Sequence, residues 1–539
     1  MSGLWYFWGS LALLLGGYFV YGAFVEKVFG ADFGRLTPVK SRRDGVDYIE
    51  LPRYKIFLIQ LLNIAGLGPV IGPILGALYG PSALLWVVFG CIFGGAVHDY
   101  CSAMMSLRYG GASYPEIIGR NLGTGVRRFM EVFAIAFMIM VGAVFVLGPA
   151  ALLANLTSFG LPFWATLIFA YYFLATIMPI DTIIGRIYPF FSVLLLVMAF
   201  GLAGSLMLSG RPVLPNTDFF VNTDPAGLPI WPLLFITIAC GALSGFHATI
   251  GTGTTPKMIG KERDVLFVGY GAMLVEGFVA IMALIAACVL VPADYFAINA
   301  PADKFAALGM SVVDLPTLEK EVAESLMHRP GGSVSLAVGM AHIFGQIPWM
   351  AHLMSYWYHF AIMFEAVFIL TAVDAGTRVG RFFLQEMIGK VIPKFGDKNW
   401  WPGIVVTSFL FTGAWGYLVY TGDISSIWPL FGISNQLLAS VTLLIGTTML
   451  LRMNKTKYAW ITAAPGIFMT FITFWAGIWL IMYQYIPTQK YLLASLSVLV
   501  MVMMGFVIIG TLRRWSVLLK ETKIVRDPYG DEVKEIVQE

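Results

Sequence analysis

The sequence predicts an all-α, polytopic membrane protein of about 13 transmembrane helices, built as two inverted five-helix repeats that each open with a discontinuous helix. Three observations predict it. The chain of 539 residues is 58% apolar and only 12% charged, whereas soluble domains carry about 25% charged residues. Basic loops alternate with loops poor in Lys and Arg along the chain. Two apolar stretches are interrupted by small and helix-breaking residues, GLGPVIGP at Gly66–Pro73 and GFHATIGTGTTP at Gly245–Pro256.

The first apolar run, Leu4–Val25, is too long for a signal peptide and lacks a basic leader and a small-residue cleavage site, so it reads as a retained span. A span needs roughly 20 apolar residues. The remaining candidates are 56–79, 83–107, 131–157, 161–179, 187–209, 231–255, 265–291, 350–373, 402–420, 427–451, 460–483 and 491–512. The loop 26–55 holds seven Lys/Arg, and 374–401 holds five. The loops 108–130 and 256–264 and those near 452 and 513 are basic too, while 292–332 has six acids against three bases. Thirteen spans place all the basic loops on one side, which predicts the N-terminus outside and the C-terminus in the cytoplasm. The glycine-rich segment 333–347 is expected to be re-entrant or surface-lying, because a full span there inverts every later loop. The four cysteines, Cys91, Cys101, Cys240 and Cys288, lie in apolar segments and read as packing residues.

The two interruptions fall in spans 2 and 7, five spans apart, and the two spans enter the membrane from opposite sides. This predicts a single membrane domain over 1–539, with a first repeat at 56–209, a second at 231–451, and C-terminal helices and a cytoplasmic tail at 452–539. Glycines also permit close helix packing. Pro69 and Pro73, however, each remove a backbone donor and clash with the preceding turn. Half-helix ends near the midplane offer N–H groups to a carboxylate and C=O groups to a cation. The candidate substrate-binding residues are therefore Gly66, Gly68, Pro69, Gly72, Gly245, His247, Thr249, Gly251, Thr252 and Thr254. His247 either donates to a substrate carboxylate, titrates, or is a satisfied structural histidine.

Ionisable residues inside spans are usually functional or paired. His98 and Asp99 suit a proton relay or an ion pair with Arg108 or Arg186. Neighbours on a helix do not face each other, so direct His98–Asp99 contact is not expected. Glu276 and Glu365 lie mid-span and suit proton carriage. Thr371, Asp374 and Thr377 share a helix face and suit a cation, with neutralisation of Asp374 by Arg378 or Arg381 the simpler account. Asn435 and Gln436 are expected near the outer end of span 11, at a gate or vestibule. His342, His352 and His359 show no ligand spacing, so no metal site is expected.

Several segments together resemble the carbon starvation protein family of bacterial inner-membrane transporters. They are GPVIGP (68–73), HDYCSAMMSLRYGGAS (98–113), SGFHATIGTGTTPK (244–257), TAVDAGTRVGRFFLQE (371–386) and WPLFGISNQLLA (428–439). The resemblance runs from span 2 to span 11, although better-known members are longer. It implies the LeuT/APC-like inverted-repeat fold, location in the cell inner membrane, and transport of pyruvate or peptides.

The expected function is secondary active import of a small carboxylate-bearing nutrient, pyruvate or a short peptide, coupled to protons. An uncoupled channel and a sodium-coupled amino-acid or peptide symporter remain open. No HExxH, GxSxG or phosphate-binding loop points to an enzyme. No cofactor and no nucleic-acid partner are expected; the partners are substrate, H+ or Na+, and lipid. A small accessory subunit leaves no signature in the chain.

Overall fold

The computed structural model describes residues 4–520 apart from 33, 44–47, 67, 179, 210–228, 301, 323, 330–331, 398–399 and 422–423, and all its described elements are helical. The part of the expected tail at 521–539 lies outside the described residues. In chain order the principal helices begin with α1 (Trp5–Phe29), α2 (Arg53–Ile64), α3 (Gly68–Gly76), α4 (Pro81–Arg108), α5 (Tyr114–Leu122), α6 (Thr124–Leu156), α7 (Leu161–Ile177) and α8 (Ile180–Ser209). They continue with α9 (Ile230–Thr237), α10 (Gly245–Gly253), α11 (Leu266–Cys288), α12 (Ser333–Gly345), α13 (Met354–Gly389), α14 (Trp401–Thr421), α15 (Ile424–Arg452), α16 (Trp460–Tyr485) and α17 (Tyr491–Leu518).

Ten of these are long and apolar enough to cross a membrane, and α2–α3, bent by 50°, makes an eleventh as a pair. The other two spans expected from sequence correspond to α7, of 17 residues, and to the short pair α9–α10. Helix α15 is buried along its whole apolar stretch, while α1, α16 and α17 turn most of theirs outward. Apolar side chains facing outward suit lipid, which has no hydrogen bonds to offer.

Both discontinuous helices exist; the first opening takes in only the start of the segment read from sequence, and the second lies wholly N-terminal to its segment. GPVIGP is helical within α3 and GFHATIGTG is helical as α10. The chain opens instead between Ile64 and Gly68 and between Thr237 and Gly245. Pro69 is tolerated because the first turn of a helix has no internal partner for its missing N–H. The threonines of α10 bond back within the helix: Thr249 donates to Phe246 O at 2.7 Å, Thr252 to Ala248 O at 2.7 Å and Thr254 to Ile250 O at 3.0 Å. Such bonds commit the hydroxyl protons within the helix and leave the oxygens able to accept.

Glycines let the two discontinuous segments touch. A Cβ added at Gly68 falls 2.0 Å from Cys240 Cβ, and one at Gly72 falls 3.0 Å from Thr237 O. Helix α3 therefore lies directly on the α9–α10 opening. Gly80, at φ 58°, turns the chain from α3 into α4, whose first residue is Pro81.

Of the two readings of 333–347, re-entrant or surface-lying, the surface-lying one is corrected. Residues 333–341 of α12 are all buried. At 13 residues the helix is about 20 Å long, short of a bilayer's apolar core. It packs among α11, α13, α8 and α3.

Candidate functional site

Four titratable side chains that the sequence singled out on three different spans form one buried chain. His98 and Asp99 come from α4, just past a wide turn at Gly90–Gly95; π-type turns of this kind re-aim a helix face and recur at functional sites. His247 comes from α10 and Glu276 from α11. Asp99 Oδ1 lies 2.8 Å from His98 Nδ1, and Asp99 Oδ2 lies 3.0 Å from His247 Nδ1. On its other side His247 Nε2 lies 3.5 Å from Glu276 Oε2, an ion-pair distance rather than a closed hydrogen bond. All four residues are at most 2% exposed.

The expectation that His98 and Asp99 do not touch is corrected here. Nδ1 sits on the near side of the imidazole, and the bond to His247 draws the short Asp99 carboxylate inward. Arg108, offered as an alternative partner, instead pairs with Glu262 at 2.5 Å and donates to Gly30 O at 2.9 Å.

With Asp99 ionised, the geometry fits one arrangement of protons. An ionised carboxylate only accepts, so each histidine presents Nδ1–H to Asp99. For His247 this leaves Nε2 facing Glu276. A proton shared by these two groups sits either on Nε2 with an ionised glutamate or on the carboxyl with a neutral imidazole. Neither Glu276 oxygen has a hydrogen-bond partner among the described residues. The arrangement can move a proton without moving a helix.

Glu365 is elsewhere. It accepts the Ser333 hydroxyl at 2.7 Å, in an apolar recess formed by residues such as Val70, Leu202, Val279 and Met340. Asp374 on α13 accepts the Tyr188 hydroxyl at 3.1 Å. Asp374 Oδ1 and Thr377 Oγ1 are buried without a hydrogen-bond partner among the described residues. Arg378 donates Nη1 and Nη2 to Met178 O and Ala175 O, each at 2.8 Å, at the end of α7, and acts on Asp374 through its charge. The Thr371 carbonyl accepts the Tyr188 hydroxyl. Nearby, a Cβ at Gly66 falls 2.9 Å from Ala372 Cβ, so the α2–α3 opening abuts the same stretch of α13. Among the described residues no group of three or more His, Cys, Asp or Glu is arranged to hold a metal ion.

At the second opening, Trp86 donates to Ile238 O at 2.9 Å and Cys91 to Gly241 O at 3.1 Å. Asn435 and Gln436, expected near a membrane face, lie fully buried here. Asn435 Oδ1 accepts Phe246 N–H at 2.7 Å, and Gln436 Nε2 donates to Phe235 O at 3.2 Å. Helix α15 begins at Ile424, so Asn435 stands about 16 Å into the helix. Gln60 was missed altogether; it accepts the Thr255 hydroxyl and lies 3.7 Å from a Cβ added at Gly251.

The family described as Carbon starvation protein CstA matches residues 2–161 and 149–476. The chain belongs to the carbon starvation protein family. It is 38% identical to the peptide transporter CstA of Bacillus subtilis (strain 168), over 96% of this chain and 97% of that protein. It is 34% identical to the pyruvate/proton symporter BtsT of Escherichia coli (strain K12), over 88% of this chain and 81% of that one. Membership makes the chain a multi-pass membrane transporter. Among solved structures, the Eremococcus coleocola manganese transporter in complex with an aromatic bis-isothiourea substituted compound matches with a TM-score of 0.52. That match has 11% identity and covers 88% of this chain and 99% of that chain. The likeness shows the fold: a LeuT-like bundle of inverted repeats with discontinuous helices.

Proposed function

We propose that the protein is a proton-coupled importer of a small carboxylate, pyruvate or a short peptide, working by alternating access between two repeats at 56–209 and 231–451. The observation that carries this reading is the buried chain His98–Asp99–His247–Glu276, which starts on α4, passes through the discontinuous helix α10 and ends on α11. His247 belongs both to this chain and to the half-helix beside the opening, so a substrate there acts directly on the shared proton. The basic loops support an orientation with the N-terminus outside and the C-terminus in the cytoplasm. The substrate site is the meeting of the two openings, lined by Gly66, Gly68, Pro69, Gly72, Gly245 and His247. The internal bonds of Thr249, Thr252 and Thr254 favour a supporting role for those residues and for Gly251. Glu365 belongs to a separate proton step or to packing of α12.

Purified protein in liposomes is expected to accumulate labelled pyruvate or dialanine when an inward proton gradient is imposed. Uptake that equilibrates but never concentrates substrate means an uncoupled facilitator and refutes the coupling. A second reading rests on the unpartnered Asp374 Oδ1 and Thr377 Oγ1 beside the first opening, with Thr371 on the same helix. If accumulation follows a sodium gradient alone, that group carries the coupling ion instead.

A further inference from the structure

Helix α15 serves both open ends of the second discontinuous helix. In the first turn of α10, Asn435 Oδ1 takes the Phe246 N–H at 2.7 Å and also the Ser244 hydroxyl at 3.2 Å. The next residue, Gln436, gives Nε2 to the Phe235 carbonyl in the last turn of α9. Only the NH2 of an amide can meet a carbonyl. This fixes the Gln436 side chain and leaves Oε1 as an acceptor, fully buried and without a partner among the described residues. The contact is close: a Cβ at Gly245 falls 2.4 Å from Asn435 O and 2.5 Å from Ala439 N.

An ordinary helix cap comes from the residue that precedes the helix. Ser244 holds that position yet makes no cap bond; its hydroxyl goes to Asn435. The cap is supplied instead by a different span, which can withdraw it when α10 and α15 move apart. An amide oxygen on this N–H stands where an anionic oxygen binds at a helix N-terminus. Charge-assisted bonds are the stronger kind, so a carboxylate can displace it. The unmet Gln436 acceptor calls for a donor, because a buried polar atom without a partner is costly.

We propose that Asn435 and Gln436 hold the place of the substrate: its carboxylate replaces the Asn435 amide on Phe246 N–H, and a donor beside that carboxylate meets Gln436 Oε1. The substrate class is then a carboxylate with an adjacent N–H or O–H, such as a peptide, in preference to a 2-oxo acid. This rests on the openings being the substrate site.

Thermal-shift titration of the purified full-length protein with dialanine, lactate and pyruvate tests it, alongside uptake into liposomes. Wild type is expected to bind dialanine and lactate more tightly than pyruvate. Removing a competing hydrogen bond with Asn435→Ala lowers the apparent Kd by about three- to tenfold, while maximal uptake falls. Asn435→Asp, which preserves size, places a permanent carboxylate on the amide and raises the apparent Kd. Gln436→Leu erases the preference for lactate over pyruvate.

A cap with a purely structural role gives Asn435→Ala a lower melting temperature and unchanged or weaker binding, which overturns the exchange. If Asn435→Ala does not fold, an Asn435→Asp protein that binds as tightly as wild type does the same. Pyruvate binding as tight as lactate and dialanine overturns the role of Gln436. Wild type that binds these carboxylates without gradient-driven accumulation refutes proton coupling alone. Wild type that binds none refutes both readings.

Discussion

Replacing Asp99 by Asn isolates the charge that organises the relay. The substitution keeps volume and shape but leaves one oxygen and one NH2 where there were two acceptors at 2.8 and 3.0 Å from two histidine nitrogens. One imidazole can still donate to the amide oxygen. The other meets an NH2 and must move its proton from Nδ1 to Nε2. If that histidine is His247, Nε2–H then points at Glu276, 3.5 Å away, and fixes the glutamate as an acceptor. The loss is one charge-assisted hydrogen bond, about 1.5–3 kcal/mol, which corresponds to a bias of about 10- to 150-fold in where the shared proton sits. Two liposome assays separate the consequences. Uptake driven by a proton gradient is expected to fall by at least tenfold, while exchange of internal for external substrate, which needs no net proton movement, falls much less. A well-folded Asp99→Asn protein that concentrates substrate as the wild type does refutes the relay.

Two further substitutions probe the scaffold around it. Gly68→Ala puts a methyl 2.0 Å from Cys240 Cβ, so α3 and the second opening must separate; overpacking of this kind costs about 1–3 kcal/mol. A lower melting temperature, with partial rescue by Cys240→Gly, is expected, and a neutral Gly68→Ala contradicts the direct contact of the two segments. Glu262→Gln removes the buried negative charge that pairs with Arg108 and Arg35, and replaces one of the two oxygens that accept from Arg108 and the Asp32 N–H by an NH2. Breaking one side of a buried pair costs about 3–5 kcal/mol, so purified Glu262→Gln should melt well below wild type; a shift within error of zero refutes a structural role for this junction.

Much of the site was legible as residue types and little as contacts. His98, Asp99, His247 and Glu276 stand out because ionisable groups in apolar spans are expensive. Their joining depends on how α4, α10 and α11 pack, which no local pattern encodes. The threonines of α10 read as ligand hydroxyls in sequence, and the structure shows their protons given to carbonyls one turn back. Asn435 and Gln436 were noticed and misplaced, because a span's polar residues look terminal until the helix start and its neighbours are known.

The sequence by itself determined the helical membrane architecture, the alternation of basic loops and the presence of two interrupted helices five spans apart. These follow from properties summed along the chain: apolar content, loop charge, and the backbone limits of proline and glycine. Only the tertiary structure decided where the helices open, that Gly68 brings one opening onto the other, and that an aspartate lies between two histidines. Those depend on distances of a few ångströms between segments more than a hundred residues apart, where side-chain reach and helix packing, rather than composition, set the chemistry.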